Sequence, residues 1–273
     1  MSNIFDIKDA SCSYNNKDIV LTIPDLQLER GRVHFFIGPS GIGKSTLLEL
    51  LGVMNYPILG KPMRFSYIDK NNSKIDISDL WSKNDLTSLA KFRQSEFSFI
   101  FQQTNLMPYF SAGENVAFTL MLNEYSWAEA KHRVLAIMDL VKLPSRFFDR
   151  KIQNMSGGQR QRLAFARAFV APFEVICCDE PTGNLDAKTA KSVMSVLRNF
   201  VKEKNKTAII VSHDIPLAAT FADKIHFFSS CEQNNTSVGY LSNENQYLKK
   251  EEQWYDWNMM RVGDIYDELE QIL

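Results

Sequence analysis

Residues 4–30 alternate apolar and polar positions: Ile4, Phe5 and Ile7, then Ile19, Leu21 and Ile23, then Leu26 and Leu28, with Asn15, Asn16 and Pro24 as separators. A period of two over short runs bounded by turn formers predicts antiparallel strands. Residues 33–37 form a short, largely apolar run that ends in glycine, as a buried strand does. From Gly43 the pattern changes to a helix with Leu47, Leu48 and Leu51 on one face. Within residues 53–84 the pattern predicts a hairpin, 63–69 and 74–77, around a Lys-Asn-Asn-Ser turn, and residues 97–101 read as a further strand. The stretch 113–170 is helical in pattern. Ser126 and Glu129 make a capping-box pair that opens a helix to about Leu143, where Pro144 stops it. A second helix starts near Gly157 and carries Leu163, Phe165, Ala166 and Phe169.

Strands return at 175–178 and 207–211, with a helix over 187–203 between them. Such alternation predicts an α/β fold with a mainly parallel core sheet, preceded by an antiparallel β subdomain and interrupted by an inserted α-helical subdomain at about 104–170. Residues 230–246 are polar and read as loop. Residues 247–273 read as helix, because Ile265, Leu269 and Ile272 follow i, i+4, i+7 among Asp264, Asp267, Glu268 and Glu270. That stripe needs cover, from the chain's own sheet domain or from a second subunit or partner protein. The expected division is thus a domain over 1–229 and a C-terminal extension over 230–273.

Composition narrows the function classes. The chain of 273 residues is 45% hydrophobic and 23% charged, with a formal net charge of −1. Near-neutrality gives no broad field to hold nucleic acid or anionic lipid, so neither nucleic-acid binding nor direct membrane insertion is expected. No run of about 18 apolar residues is present, and the N-terminal MSNIFDIKDA lacks the basic and apolar regions of a secretory signal. Cys12, Cys177, Cys178 and Cys231 have no metal-ligand spacing and are expected as reduced thiols in a cytosolic compartment.

The chemistry begins at Gly38-Pro39-Ser40-Gly41-Ile42-Gly43-Lys44-Ser45, followed by Thr46, which fills the pattern G-x-x-x-x-G-K-[ST] between a buried strand and a helix. Glycines let backbone N–H groups turn inward around phosphate oxygens, and the helix N-terminus adds its positive end. Lys44 is placed to reach the β- and γ-phosphates of a bound nucleotide, and the Ser45 hydroxyl to ligate Mg²⁺. Downstream, the apolar run 175–178 ends in Asp179 and Glu180. Asp179 can hold the Mg²⁺ shell and Glu180 can take a proton from the attacking water. Between these segments, Ser156-Gly157-Gly158-Gln159 opens a helix after Met155, so that Ser156 and free N–H groups can face a phosphate.

Met155-Ser156-Gly157-Gly158-Gln159 resembles the signature motif of the ABC ATPases, with methionine in place of the usual leucine. The resemblance implies a P-loop NTPase fold, and a homodimer in which each signature faces the γ-phosphate bound by the other subunit across two composite ATP sites. It implies further roles in sequence order. Phe101-Gln102 resembles the Q-loop, whose glutamine, Gln102 rather than Gln103 by the phenylalanine–glutamine register, reaches Mg²⁺ and the nucleophilic water. Gly183-Asn184-Leu185-Asp186 resembles the D-loop, which meets the opposite subunit. His213 resembles the switch histidine at the γ-phosphate, and Tyr14 the aromatic that stacks on adenine. Lys44, Gln102, Glu180 and His213 are thus the expected catalytic set.

The stretch 92–108 and Pro181-Thr182-Gly183-Asn184-Leu185-Asp186 are similar to the subgroup of lipoprotein-releasing, macrolide-export and FtsE-like cell-division ATPases. That similarity implies an ATP-hydrolysing subunit, cytoplasmic and peripheral on the inner membrane, that powers a permease subunit. The loop 105–110 and Glu114 would then form the groove for a permease helix. The alternative readings are force transmission in cell division, or a soluble ABC protein acting on nucleic acid or ribosomes. The chain carries one such unit, and the interval from Gly43 to Ser156 is too short for the coiled-coil insertion of the repair relatives.

Overall fold

The computed structural model describes residues 2–15, 17–54, 63–233 and 236–272. The alternating N-terminal positions form β1 (Asn3–Cys12) and β2 (Leu21–Glu29), antiparallel from Asn3↔Glu29 to Cys12↔Leu21. Pro24, expected to separate strands, instead lies inside β2 between the paired positions Ile23 and Asp25. The opposing ladder is irregular there, with Asp9 at φ +57°, so a residue without an N–H is tolerated. Asn16, read as a turn former, lies outside the described residues.

β3 (Val33–Ile37) is buried throughout and leads to α1 (Lys44–Leu51). The expected hairpin is present as β4 (Arg64–Ile68) and β5 (Lys74–Asp76), while residues 55–62 of the same stretch lie outside the described residues. Two short helices that periodicity did not single out follow: α2 (Ile77–Ser82) and α3 (Leu86–Glu96), N-capped by Asp76 and Asp85. β6 (Phe97–Ile100) then precedes three helices that each open on a full capping box. These are α4 (Ala112–Met121) on Ser111/Glu114, α5 (Trp127–Leu140) on Ser126/Glu129, and α6 (Gly157–Val170) on Ser156/Gln159. β7 (Val175–Asp179), α7 (Ala187–Lys204), β8 (Thr207–Val211), α8 (Ile215–Phe221) and β9 (Lys224–Phe227) complete the strand–helix alternation.

The tail differs from its reading. In place of a polar loop and a helix it forms β10 (Ser229–Gln233), β11 (Thr236–Tyr240), β12 (Gln246–Lys250) and β13 (Gln253–Tyr255), and only α9 (Ile265–Glu270) is helical. β12 and β13 are joined by Glu251 and Glu252, both at positive φ (+47° and +62°). A two-residue turn of that kind ordinarily announces itself by Asn or Gly, and here it carries two glutamates. The expected apolar stripe is covered by the chain itself. Leu269 and Ile265 are buried in the main core, Ile272 packs against it, and α9 lies on α8.

Among the described residues the strands make two sheets, in the orders β10-β11-β2-β1-β4-β5 and β13-β12-β9-β3-β8-β7-β6. From β9 to β6 the second sheet is parallel, and β12 and β13 extend one edge antiparallel. Its strands are apolar on both faces because each face is covered. Phe35, Ile176 and Ile210 face the helices, whereas Phe36, Val175 and Ile209 pack toward the first sheet.

Candidate functional site

Four adjacent strands of the parallel sheet end on the same side, where such sheets bind ligands. β3 runs into Gly38, β8 into His213, β7 into Asp179 and Glu180, and β6 into Gln102. Parallel pairing in the order β3-β8-β7-β6 therefore brings together residues far apart in the chain.

At the end of β3 the chain turns through Gly41 (φ +82°) and Gly43 (φ +103°), conformations that glycine adopts without a Cβ penalty. Gly43 occupies the N-cap of α1 and has no side chain to accept from the first turn, so no side-chain cap takes up the free N–H groups at the helix start. Lys44 Nζ donates to the carbonyl oxygens of Gly38 (2.7 Å) and Pro39 (2.8 Å). Burial lowers the Lys44 ammonium, and the charges of Glu180 and Asp179 act against that fall. The glycine-lined turn, the uncapped helix start and a half-buried ammonium suit a polyphosphate.

Ser45 Oγ donates to Asp179 Oδ2 at 3.1 Å. Burial raises the Asp179 carboxyl, and the Ser45 hydrogen bond opposes the rise. This hydroxyl–carboxylate pair suits Mg²⁺, a hard cation that takes few protein oxygens and completes its shell with water and phosphate. Gln102, the third expected ligand, is exposed and lines a cleft of about 610 Å³ with Gly157, Arg160, Gln161 and Asn184. Ser45 and Asp179 border a smaller cavity beside Phe101. The structure thus joins two of the three expected ligands and sets Gln102 in the neighbouring cleft.

Glu180 has φ +46°, and its N–H donates to the Val211 carbonyl at 3.0 Å, so the end of β8 fixes the turn that carries it. His213 Nδ1 lies 2.8 Å from Glu180 Oε1. Tyr14 is 62% exposed, and its hydroxyl reaches Thr46 Oγ1 (2.9 Å) and Glu49 Oε2 (3.1 Å) on α1. The ring therefore stands beside the phosphate-binding turn with a face open to solvent.

Ser156 Oγ accepts from the Gln159 N–H (3.3 Å) and Gln159 Oε1 accepts from the Ser156 N–H (3.0 Å), which closes the start of α6 on itself. Gly157 and Gly158 lie in the first turn, with Gly158 beside Leu185. Asp186 N-caps α7 through the Thr189 N–H (3.0 Å).

Three polar residues that the sequence reading passed over hold these loops. Gln161, buried, donates from Nε2 to the Pro181 carbonyl (2.5 Å) and ties α6 to the loop after Glu180. Arg167 donates to the carbonyls of Asn105 (2.7 Å) and Thr104 (2.6 Å), which anchors the loop after Gln102 to α6. Asn115, fully buried, accepts from the Met107 N–H (2.7 Å) and donates to Met107 and Ser111 carbonyls. The available signal was a charge or amide set alone in an apolar helix face, as Arg167 is between Leu163 and Val170.

The family model described as "ABC transporter" matches residues 21–183. The lipoprotein-releasing system ATP-binding protein LolD of Colwellia psychrerythraea is 38% identical over 221 residues, covering 80% of this chain and 81% of that protein. The macrolide export ATP-binding/permease protein MacB of Bdellovibrio bacteriovorus is 36% identical over 77% of this chain and 30% of that protein. Among solved structures, the dimeric post-hydrolysis state of the ATP-binding cassette MJ0796 bound to ADP and Pi superposes with a TM-score of 0.69 at 32% identity, over 82% of this chain and 93% of that one.

Proposed function

The chain belongs to the ABC transporter family, and on that premise we propose that it is the ATP-hydrolysing subunit that powers a membrane permease of the lipoprotein-release or macrolide-export type. The observation that carries the reading is the convergence of Lys44, Asp179, Glu180 and His213 at the ends of β3, β7 and β8. Gly38 to Thr46 bind the phosphates, with Lys44 Nζ leaving its carbonyl partners for phosphate oxygens. Ser45, Asp179 and Gln102 would hold Mg²⁺, which when bound neutralises phosphate charge. Glu180 Oε accepts the proton of the attacking water, and His213 orients that carboxylate through Nδ1. Tyr14 offers its ring to adenine. Ser156 to Gln159 and Asp186 serve the second subunit's nucleotide, so that ATP closes a homodimer. The dimeric form of MJ0796 supports this arrangement.

Residues 1–229 supply the catalytic domain, and the extension 230–273 completes both of its sheets. No helix among the described residues is long and apolar enough to cross a membrane. Attachment to the cytoplasmic face of the inner membrane then runs through the permease. A groove of about 420 Å³ between β6 and α4, lined by Met54, Phe97, Phe99, Leu122 and Pro172, is apolar enough to take a permease helix; the loop 105–110 and Glu114, expected to form such a groove, are not among its lining residues. The test is affinity purification from detergent-solubilised membranes. A co-purifying integral permease with a large extracytoplasmic domain is expected, and recovery of ribosomes or nucleic acid alone would overturn the reading.

A further inference from the structure

The phosphate-binding turn is open in front and closed behind, and the closure comes from the tail. β11 adds to the first sheet parallel to β2, with Gly239 opposite Leu21 and the Gly239 N–H donating to the Val20 carbonyl at 3.0 Å. At that point its backbone lies against the turn. A methyl group on Gly239 would stand 2.0 Å from the Ile42 carbonyl oxygen and 3.2 Å from that of Val20. Both obstacles are backbone, so no side-chain rotation relieves them. Phe228, just before β10, closes a second point: a methyl on Gly38 would meet its Cβ at 2.9 Å.

We infer that Gly239 is a positioning residue for nucleotide binding, and that β11 forms the rear wall that sets the Ile42–Gly43 peptide. The inference rests on the nucleotide reading above. The reason is the planarity of the peptide bond. The Ile42 carbonyl and the Gly43 N–H belong to one rigid plane, so a push on the oxygen from behind rotates or displaces the N–H that faces the phosphates. A methyl group on Gly43 would itself stand 3.3 Å from Leu21 Cβ and 3.5 Å from the Val20 carbonyl oxygen, so the turn also lies against the start of β2. The turn is held between the start of β2 and the tail strand, and only a residue without Cβ lets β11 come close enough.

The experiment is titration of a fluorescent ATP analogue against wild type, Gly239→Ala, Val238→Ala and Gly263→Ala. Val238 is buried on the same strand, and Gly263 has open space at its Cβ position. A single N–H contact to a charged group is worth roughly a factor of ten to a hundred in affinity. Gly239→Ala should weaken binding by at least about tenfold, while Val238→Ala lowers the melting temperature with unchanged affinity and Gly263→Ala changes neither. Normal affinity in Gly239→Ala, or an equal loss in Val238→Ala, would overturn the inference. Failure of the wild type to bind would instead count against the nucleotide reading. Should Gly239→Ala not fold, hydrogen exchange on the wild type decides. ATP should slow exchange in β11 and leave β13 unchanged, because coupling between sites is reciprocal; no change in β11 would overturn the inference.

Discussion

His213 Nδ1 stands 2.8 Å from Glu180 Oε1, across the gap between the ends of β8 and β7. A carboxylate only accepts, so the histidine donates through Nδ1, on a side chain that is 69% exposed. The backbone reinforces the pairing, because the Glu180 N–H is held by Val211, two residues before His213.

Replacing Glu180 by Gln removes the proton acceptor while keeping the shape and the bond from His213. Turnover should fall by about 10²–10⁴-fold with ATP affinity retained, as read by phosphate release and by nucleotide titration. His213→Ala leaves the base present but unaimed, and turnover should drop by up to about 10²-fold.

The Glu180→Gln chain should also report assembly. Adding ATP is expected to shift it from monomer to dimer in sedimentation velocity, and Ser156→Glu should abolish the shift by placing a like charge against the partner's phosphate. A Ser156→Glu protein that still dimerises would show that the signature does not face nucleotide.

Leu269 is fully buried beneath α8, so Leu269→Ala should cost about 2–4 kcal/mol in urea denaturation. Tyr266, on the same helix but 43% exposed, should change stability by no more than about 0.5 kcal/mol when replaced by Ala.

A fourth expectation is pH-dependent stability. His34 and His226 are fully buried on neighbouring strands, with His34 Nδ1 3.1 Å from His226 Nε2 and His34 Nε2 2.9 Å from the Glu29 carbonyl. Burial pushes His34 down to about 4 from 6.5, and His226 well below 6.5. Both folded values lie below the unfolded ones, so between about 4 and 6.5 the unfolded chain binds more protons. Their stabilising contribution is complete above the unfolded value and is lost as pH falls toward the folded one. The slope should approach 1.4 kcal/mol per pH unit for each histidine. Urea midpoints at about pH 7.5 and about pH 5 measure it, and the double replacement His34→Gln, His226→Gln should flatten the difference.

Tyr109 is 84% exposed on the loop 105–110. Tyr109→Asp should leave ATP hydrolysis within about twofold of wild type, since an exposed change away from the site costs little, while lowering recovery of the chain with membranes. Unchanged recovery would place the permease contact elsewhere.

Local rules decided what the sequence alone made legible. The turn from Gly38 to Ser45 needs only its own spacing, the helix starts at Ser126 and Ser156 need only a partner three residues on, and a strand ending in Asp179 and Glu180 declares itself by composition. Pairing decided the rest. β11 joins the first sheet on the edge of β2, from the other end of the chain, and β12 joins the second on the edge of β9, across the intervening β10–β11 hairpin. Glu251 and Glu252 turn a hairpin without the usual turn residues because Tyr247 and Trp254 are buried in the core on either side. The meeting of Lys44, Asp179, Glu180 and His213 likewise follows from strand order. A parallel sheet places the ends of β3, β8 and β7 side by side whatever the length of chain between them, and that order is set by packing on both faces of the sheet, which no local stretch of sequence contains.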